Sequence, residues 1–154
     1  MLFATALCLG LLHLVQGQCV YKTVAFSAAL REDRYIPANE LIVYDYVITN
    51  YGRAYDNSTG VFVSPTEAIY GFHFHAVAVQ GQEFWLRLYH NDNYIVSAYG
   101  KQSVDYAAAG NSVMLRLQEG DRVYIRAHRN TNLYGVSNNI YTTFSGHIVG
   151  VTSL

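Results

Sequence analysis

The chain has 154 residues, with 10 basic and 11 acidic side chains and a net charge near −1. That balance excludes attraction of the whole molecule to a nucleic acid or an anionic membrane, though a local basic patch remains open. Hydrophobic residues make up 51% and charged ones 14%, the reverse of a disordered chain, and the length suits one domain.

Taken in chain order, Met1 to Gly17 reads as a secretory signal peptide. Leu2 to Val15 is almost continuously apolar, and Val15 and Gly17 fit the −3 and −1 positions of a cleavage site. The run is short for a membrane anchor, which needs roughly 18 apolar residues. Residues 18–154 are therefore expected to be one secreted, extracellular domain without membrane insertion. Cys8 leaves with the signal, and Cys19 stays as the lone cysteine. A single thiol in an oxidising compartment, close to the new terminus, points to a disulfide between chains; the alternative is a buried, inert cysteine.

From Phe26 onward, period two dominates. Phe84, Leu86 and Leu88 alternate with Trp85, Arg87 and Tyr89; Val113, Leu115 and Leu117 alternate with Met114, Arg116 and Gln118; Val123, Ile125 and Ala127 alternate with Arg122, Tyr124 and Arg126. Each run offers one apolar face to a core. Turn signals separate them: Tyr51-Gly52, Asn57 to Gly60, Gln80-Gly81, Asn91 to Asn93, Gly110-Asn111, Glu119 to Asp121 and Asn138-Asn139. Fourteen tyrosines and only two prolines agree with an all-β sandwich or barrel. Between Ile69 and Val79, both strand faces look covered: Tyr70, Phe72, Phe74 and Ala76 on one, Gly71, His73, His75, Val77 and Val79 on the other. Ile148 to Val151 repeats this more weakly. A strand apolar on both sides needs a second covering surface, most simply another subunit.

Tyr44, Asn50, Tyr55, Phe62, Ala68, Tyr70, Phe72 and Phe74 stand at spacings that resemble the signature of the C1q domain family. Tyr44 replaces the usual Phe. Ala68 replaces the usual Gly, and its methyl group is expected to alter a local turn if φ is positive there. Leu115 to Val123 is similar to the family's strand–turn–strand hairpin, and Phe144-Ser145-Gly146-His147-Ile148 to its last strand. The resemblance implies a jelly-roll sandwich of about ten strands, like tumour necrosis factor, assembled as a homotrimer. It also implies a recognition module, not an enzyme. A signal followed directly by the domain looks like the head-only secreted proteins of molluscs and other invertebrates. Those are regarded as lectin-like innate-immune receptors for sialic acid, other glycans or microbial surface molecules. An extracellular matrix component or a receptor ligand of the same fold is the alternative.

Arg122, Tyr124, Arg126 and His128 share one face of one expected strand, with Arg116 on a strand taken to be nearby. Arg forks bind carboxylate or phosphate at two points and Tyr stacks on a sugar, so this face is the first ligand candidate; a plain solvated face or subunit contact is the alternative. Asn130, Asn132 and Tyr134 combine amides with an aromatic in an expected loop, a mix that suits sugars. His73 and His75 share a strand face and could hold a metal ion, or pack at a subunit interface. Asp105 falls near the loop through which some family members bind calcium. The upstream segment Ser97 to Lys101, taken as a loop, supplies a lysine and no carboxylate, which argues against a complete calcium site. Asn57-Ser58-Thr59 is an N-glycosylation sequon in a turn. The sequence carries no phosphate loop, nucleophile elbow, His-Glu-x-x-His or cysteine cluster, and Glu32-Asp33 and Asp45 with Asp56 are too generic for a hydrolase.

If Cys19 links chains, non-reducing electrophoresis of the secreted protein will show a band above monomer mass that collapses on reduction. A monomer band alone would rule the link out.

Overall fold

The computed structural model describes residues 23–151; the expected signal segment and Cys19 lie outside them. Twelve strands follow one another: β1 Ala25–Ala29, β2 Arg34–Ile36, β3 Tyr46–Tyr51, β4 Tyr55–Asp56, β5 Val61–Val63, β6 Ala68–Val77, β7 Glu83–His90, β8 Asn93–Lys101, β9 Ala108–Leu117, β10 Arg122–Ala127, β11 Thr131–Leu133 and β12 Thr143–Gly150. The first sheet has the order β3-β1-β12-β6-β9 and the second β4-β5-β10-β7-β8. These ten strands form the expected jelly-roll sandwich, and no helix occurs among the described residues. β2 and β11 add a small two-stranded sheet.

Alternation places the core. Tyr70, Phe72, Phe74 and Ala76 of β6 point inward with Phe84, Leu86 and Leu88 of β7 and Val123, Ile125 and Ala127 of β10, all buried. Rings fill the space between the sheets. Phe26 stacks on Tyr55 with centroids 4.7 Å apart and lies edge-on to Phe144 at 4.9 Å; Phe62 meets Tyr70 at 5.4 Å and Phe72 at 5.2 Å. Such pairs add about 0.5–1.5 kcal/mol each beyond area burial. Gly146 makes room for this stack: a Cβ there would stand 2.6 Å from Phe26 Cε1 and from Phe72 Cδ1.

The remaining signature residues have local tasks. Asn50 brackets the turn after β3, its Nδ2 donating to the Tyr55 carbonyl at 2.7 Å and its Oδ1 accepting from Tyr55 N–H at 3.3 Å. Between them Gly52 and Arg53 take φ of 81° and 51°, a left-handed pair that the bracket holds closed. Tyr55 Oη donates to the Tyr44 carbonyl at 3.0 Å and accepts from Tyr44 N–H at 3.2 Å.

Two local expectations are corrected. Ala68 has no positive φ and causes no altered turn; it begins β6 opposite Leu117, with its methyl buried. Gly110-Asn111 is not a turn but part of β9. Gly110 marks a close approach between strands, since a Cβ there would lie 2.7 Å from the Phe74 carbonyl oxygen. Asn111 Nδ2 donates to the Ser97 carbonyl of β8 at 2.9 Å, tying the edges of the two sheets together.

The outward face of the first sheet carries small residues in the middle and exposed apolar ones around them. One cross-strand row runs Met114, Gly71, His147, Ala25, Tyr51. Met114 is 71% exposed and Tyr51 66%; Ile48 and Val149 are also exposed.

Tyr44 Oη is fully buried without a hydrogen-bond partner, and burial pushes its pKa up. Tyr44→Phe removes this orphan and should raise stability by about 1 kcal/mol, whereas Tyr55→Phe removes two backbone contacts and should lower it by about 1–2 kcal/mol. Urea unfolding of both variants checks the opposite signs.

Candidate functional site

The outward face of the second sheet is built from three central strands. Antiparallel register sets Tyr124 of β10 opposite Tyr89 of β7, and Tyr89 opposite Tyr94 of β8. In the next row Arg126 stands opposite Arg87, and Arg87 opposite Ser97. Beyond it Trp85 faces Tyr99, and His128 joins the row when its N–H donates to the Trp85 carbonyl at 2.7 Å. Directly opposed side chains share a face, so a band of aromatic rings surrounds two adjacent guanidinium groups.

Contacts within the band are specific. Arg126 lies 5.1 Å from the Tyr124 ring centre and 5.5 Å from that of Tyr89; Arg87 lies 5.0 Å from Tyr94 and 5.4 Å from Trp85. Tyr89 and Tyr124 stack at 5.7 Å, and Trp85 meets His128 edge-on at 4.5 Å. Neither Arg87 nor Arg126 forms an ion pair among the described residues, and the Nε of each is buried without a hydrogen-bond partner. Like charges directly opposed on neighbouring strands repel, so the face carries an uncompensated positive centre. The rim is different. Arg122 lies 3.7 Å from Asp92, Arg129 lies 3.3 Å from Glu83, and Lys101 lies 3.7 Å from Glu83. Tyr124 Oη donates to the Asn91 carbonyl and to Asp92 Oδ1, and partial burial raises its pKa. Burial, then Arg87 and Arg129, lowers the pKa of His128 and so favours its neutral ring.

The structure thus gathers Arg122, Tyr124, Arg126 and His128, and adds Trp85, Arg87, Tyr89, Tyr94 and Tyr99. For Trp85, Arg87 and Tyr89 the signal was the polar half of the Phe84 to Tyr89 alternation; Tyr94 and Tyr99 lie on β8, part of which was taken as a loop. Arg116 belongs elsewhere: it lies on β9 in the first sheet and binds Glu67 with two contacts of 2.6 and 3.1 Å. Asn130, Asn132 and Tyr134 do not share an open loop. Asn130 Oδ1 accepts from Ala38 N–H at 2.9 Å, and Asn132 sits in β11 opposite Tyr35. Tyr134 packs against Tyr106 and Tyr141.

His73 and His75 share the outward face of β6, yet their contacts differ. His73 stacks on His147 at 6.0 Å, and His75 Nδ1 bonds the Tyr141 carbonyl at 2.7 Å. Asp105 Oδ1 accepts from Tyr106 N–H at 2.7 Å. Ser97 to Lys101, taken as a loop, is the second half of β8, held by β7. Among the described residues no cluster of three or more His, Cys, Asp or Glu side chains is arranged to hold a metal. Asn57 is exposed in its turn, with Nδ2 donating to the Asp45 carbonyl at 3.1 Å.

The two five-stranded layers define a jelly-roll protein of the C1q and tumour necrosis factor type. The globular domain of zebrafish complement 1qA aligns with a TM-score of 0.71 at 20% identity, over 84% of this chain and 99% of that one. Eiger TNF from S. frugiperda aligns at 0.69 and 10%, over 86% and 96%; murine APRIL aligns at 0.62 and 11%, over 83% and 100%. The C1q domain model matches residues 25–149, and the chain belongs to that family. Caprin-2 of Danio rerio is 35% identical over 130 residues, covering 82% of this chain. The match spans only 14% of that relative's length. Family members are binding proteins, and they form homotrimers. No described helix is long and apolar enough to cross a membrane.

A folded-state pKa lowered at His128 favours the neutral ring, so its contribution to stability is present above pH ~6.5 and is lost as pH falls and the unfolded ring takes up its proton. His128→Gln should therefore flatten the decline of unfolding free energy between about pH 7 and 5. Urea titrations of both proteins at several pH values measure the difference; parallel curves would refute the assignment.

Proposed function

We propose that this chain is a secreted, non-catalytic recognition module. It binds acidic glycans, sialic acid among them, or anionic microbial surface molecules through the outward face of the second sheet. One observation carries the reading: Arg87 and Arg126 stand opposed and unpaired inside a frame of Trp85, Tyr89, Tyr94 and Tyr124. An anion laid across the two guanidinium groups relieves their repulsion and gains charge-assisted hydrogen bonds. Trp85, Tyr89 and the exposed Tyr94 give a sugar its apolar contact surface, and the buried Tyr124 backs Tyr89 from beneath.

Three-fold presentation completes the proposal. The exposed Met114, Tyr51, Ile48 and Val149 on the first sheet support burial of that layer against sister copies, in keeping with the family's homotrimers. Joining three weak sites multiplies apparent affinity only where all reach one surface, and this arrangement leaves the second sheet outward on each copy. Residues 1–17 serve as the secretion signal, Cys19 as a link to further chains, and the exposed Asn57 as a glycan acceptor. Calcium and other metals have no part in this reading. A receptor-ligand role is the alternative, drawn from the likeness of fold to Eiger TNF and APRIL.

The test is a glycan array with wild type and an Arg87→Ala/Arg126→Ala double variant, each sized by light scattering. Binding to sialylated glycans should fall about ten- to a hundredfold while the assembly size holds. Undiminished binding would move the ligand off this face. Binding to a host receptor and to no glycan would favour the alternative.

A further inference from the structure

The five strands of the first sheet, β1, β3, β6, β9 and β12, contain no Asp, Glu or Lys. Arg116 is their one charged side chain, and it stands near the end of β9 in its pair with Glu67. The groups of these strands that titrate between pH 5 and 8 are three histidines: His73 and His75 on β6 and His147 on β12. All three are exposed on a single copy. The second sheet differs, for its strands carry Asp56, Glu83, Arg87, Lys101, Arg122 and Arg126.

Two of these histidines form a unit. Ser145 stands opposite His73 and Gly71 opposite His147, so the two rings are diagonal neighbours across β6 and β12. Their centres lie 6.0 Å apart with the planes 7° from parallel. The His147 ring lies over Gly71: a Cβ there would touch its Cε1 at 3.4 Å. The groups around the pair are neutral: Ser112 and Met114 on β9, Ala25 and Ser27 on β1, Thr49 and Tyr51 on β3. Neither ring forms an ion pair among the described residues. At the far edge of the sheet Arg31 lies over the Tyr46 ring at 4.6 Å, and Asp45 is held by Arg34. His75 is set differently. Its Nδ1 donates to the Tyr141 carbonyl, a bond that the charged ring keeps, and its other neighbours Tyr106 and Tyr134 are phenols, which do not titrate between pH 5 and 8. His73 and His147 are therefore the pair that responds to acid.

Two imidazolium charges this close repel weakly in water and several-fold more strongly where a protein contact excludes water. Burying them with no carboxylate beside them adds a desolvation cost. Copies that bury this face therefore exclude protons that separate copies take up, and by linkage acid favours the separate copies. The contact is at full strength above about pH 7, where free imidazole is neutral, and weakens as pH falls. We propose that the stacked His73 and His147 make the assembly of this chain acid-sensitive: below about pH 6 both rings charge, and the copies separate with their folds intact. The proposal rests on burial of the first sheet between copies and is independent of what the arginine face binds.

Light scattering of the intact secreted protein at pH 8, 6 and 5, with circular dichroism of the same samples, tests this. Reductant is present, so that Cys19 does not link chains. Wild type should have trimer mass at pH 8 and monomer mass at pH 5, keep its β-sheet spectrum throughout, and regain trimer mass on return to pH 8. Its dissociation constant should rise at least about a hundredfold over that range, since each proton taken up contributes a factor of about ten per pH unit. The His73→Gln/His147→Gln variant should keep trimer mass at pH 5, with a change below about tenfold. Should the double variant misfold, His147→Gln alone, which leaves a single ring, should move the dissociation midpoint at least about half a pH unit lower. A monomer at pH 8 overturns the buried layer and this proposal together. A trimer that persists at pH 5, loss of the β-sheet spectrum along with the mass, or variants that dissociate like wild type overturn this proposal alone.

Discussion

Contact between aromatic rings across the two layers is the interaction on which the rest depends. Phe26, Tyr55, Phe62, Phe72 and Phe144 reach one another from five strands distant in sequence. They pack this closely only because β12 offers no side chain at Gly146. The stack sets the spacing of the sheets, and the spacing sets which way every alternate residue must point. Both outward faces are therefore by-products of the same inward decision. Once Phe84, Leu86 and Leu88 are committed to the core, Trp85, Arg87 and Tyr89 have nowhere to go but out.

The fold was largely legible from the sequence because its signals are local. Alternation at β7, β9 and β10, and the spacing from Tyr44 to Phe74, each survive in a window of a few residues. Gly110 and Ala68 were misread for a related reason. A glycine looks like a turn until the neighbouring strand that crowds it is known, and an alanine in a glycine position looks strained until its φ is known. Neither neighbour nor φ is written locally. The site was legible by halves. β10 showed Arg122, Tyr124, Arg126 and His128, but which strands flank β10 is a long-range fact. Only the pairing with β7 reveals that Arg126 faces Arg87, and only the sheet order separates Arg116 from both. The Tyr106, Tyr134 and Tyr141 cluster is less legible still, because its members come from three loops.

The two layers have divided their chemistry. The first turns outward small and apolar residues, with His73 and His147 stacked among serines and glycine. The second turns outward rings and, at its centre, two guanidinium groups, Arg87 and Arg126, that lack carboxylate partners among the described residues. A sandwich that had only to be soluble could clothe both faces in lysine and glutamate at no cost to its core. Here, only 14% of residues are charged, and two of the arginines are set where they repel each other. That is the pattern of surfaces shaped by what they meet.

The amide of Asn111 has one more consequence. By reaching from β9 to the Ser97 carbonyl, it occupies an acceptor at the margin of β8, where an incoming extended segment could otherwise add itself. A tyrosine-rich, sparsely charged chain is exposed to runaway polymerisation along such margins. One side chain, bent across the seam, takes an acceptor of that border out of reach of an incoming strand.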